Sequence, residues 1–171
     1  MAIYIYTGRP GSGKTYVLVR LALNFLKKGV PIWSNFKIFP DKKYSYLLRY
    51  WKTIDDIRQV QNGVILMDEA QIYFNSRRWS TLPDQWQYKL QQHRKEGLSI
   101  YGSCQNLRRL DTVMRELVSN YFECKKIFHL IMIREFNIED AGKKQRSPLW
   151  LSVVPLRKKI YKKYDTLEKI F

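Results

Sequence analysis

A chain of 171 residues, 45% apolar and 15% aromatic, is long enough to bury a core and too apolar to stay disordered. Its 31 Lys and Arg stand against 15 Asp and Glu, and the resulting charge of +16 points to a polyanionic partner, nucleic acid or an anionic membrane surface. Cys104 and Cys124, twenty positions apart, exclude a disulfide framework and a cysteine metal centre and fit a reducing compartment. No apolar run reaches the roughly 18 residues a bilayer span needs, and motif residues begin at Gly8, so neither a membrane span nor a signal peptide is expected.

Ala2, Ile3, Tyr4, Ile5 and Tyr6 form a short β-prone run, predicted as a buried first strand. Residues 14–28 follow as a helix. Val17, Leu21 and Phe25 recur at i+4 beside Leu18, Ala22 and Leu26, and Lys27, Lys28 and Gly29 end it. Residues 31–36 read as a second strand, and 37–52, rich in Lys and Tyr, as an exposed connection with one helical turn. Thr53 and Asp56 supply N-cap chemistry for a short helix closed by Asn62 and Gly63. Val64, Ile65, Leu66 and Met67 are the most apolar run and predict a central strand. A helix over 80–96, with Pro83 in its first turn, precedes a strand over 98–104. Leu110, Val113, Met114, Leu117 and Val118 mark another helix, and the segments 121–136 and 148–156, flanking polar 139–147, predict a hairpin. Alternating strands and helices make this an α/β fold with a mostly parallel central sheet flanked by helices, read as a single domain over 1–171 with a C-terminal antiparallel β extension over 121–157.

The chemistry is concentrated in Gly8, Arg9, Pro10, Gly11, Ser12, Gly13, Lys14 and Thr15, a full match to G-x-x-x-x-G-K-[ST] between a strand and a helix. Such a loop turns backbone N–H groups onto phosphate oxygens at the positive end of the helix. Lys14 would reach the β- and γ-phosphates of ATP, Thr15 would ligate magnesium (Mg2+), and Tyr16 is counted with the nucleotide site. Asp68, at the end of the apolar strand, would be the second magnesium ligand, and Glu69 the base that polarises the attacking water. The Asp-Glu pair places the chain among P-loop NTPases of the ASCE type and argues for an ATPase motor over a nucleotide or nucleoside kinase. Gln105, ending the fourth strand, would sense the γ-phosphate; a turn residue satisfying backbone groups is the alternative. His93 and His129 are lone histidines with no role assigned. Arg77, Arg78, Arg108 and Arg109 follow the ends of core strands and are candidate nucleic-acid contacts, with Tyr73, Phe74 and Trp79 as base platforms; solvated loop charges are the alternative.

In order, these motifs resemble the zonular occludens toxin-like (Zot) family. The resemblance rests on residues 4–15, on Pro31, Ile32, Trp33, Ser34, Asn35 and Phe36, and on Leu66, Met67, Asp68, Glu69, Ala70 and Gln71. It continues at His93, Arg94, Lys95, Glu96, Gly97 and Leu98, at Gln105, and over 160–166. Lys95 and Ser99 depart from the His and Asp frequent in the family. The resemblance implies an assembly ATPase of filamentous phages within the HerA/FtsK group, acting in the host cytoplasm as a homo-oligomeric ring on viral, single-stranded DNA. The family continues into a transmembrane helix and an outer domain, so a membrane-anchored partner is expected if those are borrowed. A ring implies an arginine lent between subunits; Arg115, expected to project outward from its helix, is the first candidate and Arg94 the second. A replication or conjugation ATPase that binds DNA is the rival reading.

Overall fold

The computed structural model describes residues 1–75, 84–143 and 145–165. The N-terminal apolar run forms β1 (Ile3–Thr7), and α1 (Lys14–Lys27) follows it. Next come β2 (Ile32–Ser34), β3 (Leu48–Tyr50), the short α2 (Ile54–Ile57) and β4 (Gly63–Met67). The chain continues through α3 (Asp84–Gln92), β5 (Leu98–Cys104) and α4 (Thr112–Leu117). It ends with β6 (Asn120–Ile127), β7 (Leu130–Asn137), β8 (Trp150–Pro155) and α5 (Lys158–Tyr161).

Among the described residues these strands form one eight-stranded sheet, in the order β3-β2-β4-β5-β1-β6-β7-β8. Pairing is parallel from β3 through β6 and antiparallel from β6 to β8. Because neighbouring strand residues face opposite ways, each strand feeds two cores. Ile3, Ile5, Ile65 and Met67 meet Trp86 and Leu90 of α3 and Met114 of α4 on one face. Tyr6, Val64 and Leu66 meet Val17, Leu18, Ala22 and Leu26 of α1 on the other. Helices therefore cover both faces, the α/β arrangement expected. β5 lies between β1 and β4, so the ends of three parallel strands carry the loop after β1, Asp68 after β4 and Gln105 after β5 along one edge.

The structure departs from the sequence reading in three places. Residues 37–52 are not a bare exposed connection. They contain β3, and Trp51 is only 1% exposed, its indole N–H donating to the Leu66 carbonyl at 3.2 Å. Its ring meets Tyr73 and Trp86, an aromatic cluster assembled from distant segments. In the extension β7 and β8 pair antiparallel across polar 139–147 as expected, but 121–136 also folds back on itself as the β6–β7 hairpin, and β6 adds to β1 in parallel. Finally, α3 stops at Gln92; residues 80–83 lie outside the described residues.

The end of α3 is fixed by a buried cation. Lys89 is 2% exposed, and its ammonium donates to the carbonyls of Arg58 at 3.0 Å and Val60 at 2.7 Å, just past α2. It also pairs with Glu96 at 2.7 Å. Lys89→Met keeps the bulk but leaves two carbonyls and a carboxylate without their donor. It is expected to destabilise the fold by about 3 kcal/mol, read as a lower midpoint in denaturant unfolding with an unchanged slope. His93, taken from sequence as partnerless, is buried with Nδ1 2.5 Å from the Leu90 carbonyl.

Candidate nucleotide site

The loop between β1 and α1 is held tightly by the extension strands. At Gly8, where φ is 146°, a Cβ would stand 2.6 Å from the Cys124 carbonyl of β6. At Gly13, where φ is 92°, it would collide with the Ile131 side chain of β7. Glycine is thus required twice over, by backbone conformation and by the strands that press on the loop. Lys14 is 6% exposed, and its ammonium folds across the loop onto the carbonyls of Gly8 at 2.9 Å and Arg9 at 3.2 Å.

The first residue of the acidic pair is built into the sheet edge. Thr15 Oγ1 donates to Asp68 Oδ2 at 2.8 Å, and Ser103 Oγ donates to Oδ1. The Asn35 side-chain amide clamps the Asp68 backbone, accepting from its N–H at 2.8 Å and donating to its carbonyl at 2.9 Å. Burial pushes the Asp68 carboxyl above the usual carboxylate range, against the pull of the Ser103 and Thr15 hydroxyls. A hydroxyl and a carboxylate oxygen side by side form a hard-oxygen pair of the kind magnesium takes. A cation there would relieve the cost of the buried carboxylate, so Thr15 and Asp68 fit the ion. Glu69 follows in a left-handed conformation, φ 50°, its N–H bonded to Ser103 Oγ at 3.0 Å and its carboxylate accepting from Gln71 Nε2.

Among the described residues, two cavities border the loop. The smaller, about 360 Å³, brings together Pro10, Gly11, Gly13, Lys14, Thr15, Tyr16, Asp68 and Glu69, with Lys126 and the C-terminal Tyr161, Tyr164 and Asp165 opposite. The larger, about 1000 Å³, gathers Gly8, Arg9, Pro10, Gly11 and Ser12 with Gln105, Arg108 and Arg115. Tyr16 turns its side chain away: the ring is 1% exposed and its hydroxyl is engaged by Pro155 and Arg157. Gln105 Oε1 accepts from Arg109 at 2.6 Å. Arg115 does not project freely outward; it is half-buried, donates to Thr112 at 3.0 Å and lines the larger cavity. Arg94 is exposed in the turn before β5, at the strand-start edge, away from the loop, as topology predicts.

Of the other expected residues, Arg108 and Arg109 are exposed beyond β5, whereas Arg77, Arg78 and Trp79 lie outside the described residues. Phe74 and Tyr73 are not base platforms. Phe74 is fully buried against Trp86, and Tyr73 packs between Trp51 and Trp86, so both rings are spent in the core on that face of the sheet. Sequence reasoning missed Asn35, Ser103 and Gln71 as supports of the acidic pair. The available signal was polar residues at the ends of two apolar strands, and a glutamine two positions after Glu69.

Comparison with known proteins bears on this geometry. The chain is similar to the gene 1 protein of Enterobacteria phage I2-2, 29% identical over 74% of this chain and 41% of that protein, so it spans less than half of that relative's length. Its fold is similar to the N-terminal domain of zonular occludens toxin from Neisseria meningitidis, with a TM-score of 0.65 at 20% identity over 96% of this chain and 98% of that one. It is also similar to the genome packaging NTPase B204 of Sulfolobus turreted icosahedral virus 2, solved with ATP-gammaS, with a TM-score of 0.59 at 13% identity over 91% of this chain and 98% of that one. Among the described residues no helix is long and apolar enough to cross a membrane. The zonular occludens toxin (Zot) family model matches residues 2–168, and with its mostly parallel P-loop sheet the chain belongs to that family.

Proposed function

We propose that residues 1–171 form one ATPase domain that hydrolyses ATP with magnesium and moves viral DNA during virion assembly, at the cytoplasmic face of the host membrane. The observation that carries this reading is the 2.8 Å contact between Thr15 and Asp68, with Glu69 next in the chain and Lys14 folded over the loop. In the proposed reaction the loop's N–H groups bind the β- and γ-phosphates, which replace the carbonyls of Gly8 and Arg9 as partners of Lys14. Glu69 accepts a proton from water as its oxygen attacks the γ-phosphorus, and the bond to the ADP oxygen breaks. Gln71 aims that carboxylate, while Ser103 and Asn35 hold Asp68 still. Thr15 and Asp68 would hold magnesium, which would supply charge neutralisation on the phosphates. Gln105 is proposed as the γ-phosphate sensor, a role its position at the end of β5 beside the loop's outer face supports.

The test is the ATPase rate with and without magnesium, single-stranded DNA and double-stranded DNA, alongside native mass to find a ring. Magnesium-dependent turnover stimulated by DNA is expected; turnover indifferent to both DNAs would favour a kinase-like or non-motor role. The charge of +16 and the exposed Arg108 and Arg109 support the DNA partner. On single strands each neutralised phosphate contributes about −0.7 to the slope of log affinity against log salt. Arg108→Ala with Arg109→Ala should weaken binding and flatten that slope by roughly one unit. A slope unchanged in the double variant would remove these arginines from the DNA contact.

A further inference from the structure

The turn between β6 and β7 carries a residue that its own geometry disfavours. Ile127 pairs with Leu130, so the turn consists of Phe128 and His129 alone. Phe128 adopts φ 49°, a left-handed backbone for which two-residue turns use glycine or asparagine, because a bulky side chain is strained there. Its ring is 89% exposed, so the fold gains almost nothing from it. A large apolar side chain kept at a strained position, with little to pack against, points to something outside the molecule.

Phe128 has apolar company. Ile127, Leu130, Leu151 and Val153 are each 40% to 54% exposed. Register puts Ile127 opposite Leu130, Val153 opposite Met132 and Leu151 opposite Arg134, so all four lie on one face of the hairpin and its neighbour β8. Lys125, Lys126, Arg157, Lys158 and Lys159 are exposed around them, and the Leu156 N–H, donating to the His129 carbonyl at 2.8 Å, brings the last three beside the turn. Neither 124–134 nor 148–163 contains an acidic residue. An apolar point among uncompensated cations matches an anionic lipid surface, whose headgroups attract the cations and whose acyl boundary takes the apolar side chains. Aliphatic residues gain little from stacked bases, and a second copy of this chain would bring the same excess of cations.

We propose that the β6–β7 tip docks on an anionic lipid bilayer, with the Phe128 ring at the acyl boundary and the flanking cations on the headgroups. This deepens the membrane placement proposed above and owes nothing to the nucleotide site. Flotation of the whole chain with vesicles of equal parts phosphatidylglycerol and phosphatidylcholine tests it, with single-stranded DNA binding and native mass measured alongside. Phe128→Gly suits the turn, so its thermal midpoint should equal or exceed that of the unaltered chain. Its binding to the vesicles should nevertheless fall by about 10-fold or more, the loss of one buried phenyl ring, with DNA affinity unchanged. Phe128→Leu should keep most of the binding. Lys158→Gln with Lys159→Gln should weaken it by about 5-fold for each cation removed. Vesicle binding undiminished in Phe128→Gly would overturn the tip and leave the membrane placement to other residues. If DNA affinity fell in that undiminished variant, the tip would belong to nucleic acid; if native mass fell, to a second copy. An unaltered chain that does not float with anionic vesicles would overturn tip and placement together, and the ATPase rates decide the motor reading separately.

Discussion

Glu69→Gln should bind ATP as the unaltered chain does and lose about 10²–10⁴-fold in turnover, the span a positioned general base contributes. The substitution is nearly isosteric, so Ser103 still receives the backbone N–H at residue 69, and Asp68 and Thr15 keep their contact. Only the proton acceptor disappears. Lys14→Ala acts at the opposite stage. It removes an ammonium that is nearly fully buried in the loop, and ATP affinity should fall by roughly 10- to 100-fold, as for other charge-assisted bonds. Equilibrium binding and single-turnover hydrolysis separate the two variants. A Glu69→Gln protein with normal turnover would transfer the base role elsewhere and leave the loop's binding role intact.

Arg115→Ala should lower turnover by about 10³–10⁵-fold if this arginine serves as the finger that stabilises transition-state charge. Arg115 is half-buried and lines the cavity that also exposes Gly8, Arg9, Pro10, Gly11 and Ser12 on the outer face of the loop. Mixing inactive Lys14→Ala and Arg115→Ala proteins decides whether it serves its own site or a neighbour's. A ring that lends the arginine across its junctions contains some junctions with an intact loop and an intact Arg115, and activity partly returns, which is the result expected here. No recovery despite proven subunit exchange would assign Arg115 to its own chain. An Arg115→Ala protein that hydrolyses normally would pass the role to Arg94, whose position at the far edge of the sheet permits service only to another subunit.

The phosphate loop was legible because its chemistry is contiguous: eight residues in a row specify turn, cation and hydroxyl, and β1 and α1 confirm the context. Asp68 and Glu69 were legible because an uninterrupted apolar run ends on them. Asn35 and Ser103 were not, because they act on Asp68 from β2 and β5, and nothing local in sequence says that two strands will bracket a third. Trp51 was masked by composition: its neighbours are Lys, Arg and Tyr, yet its indole finds a carbonyl on β4 that only the folded sheet supplies. The hairpin reading holds for β7 and β8 but was incomplete for a related reason. Period-two alternation identifies strands, but it does not reveal that β6 will pair with the first strand of the chain, over a hundred residues back.

That pairing decides how the chain can be cut. β1 is an interior strand only because Tyr4, Ile5, Tyr6 and Thr7 stand in register with Asn120, Tyr121, Phe122 and Glu123. A fragment ended after α4 would retain every residue of the phosphate loop and both acids, yet it would bare one side of the strand that carries the loop. The exposed N–H and C=O groups, on a strand rich in isoleucine and tyrosine, are a template for self-association. Loss of β6 and β7 would also free Gly8 and Gly13 from the Cys124 carbonyl and the Ile131 side chain that confine them. A piece that keeps β1 paired on both sides therefore has to include β6, and expression trials with pieces ending after α4 should yield aggregates rather than a folded domain.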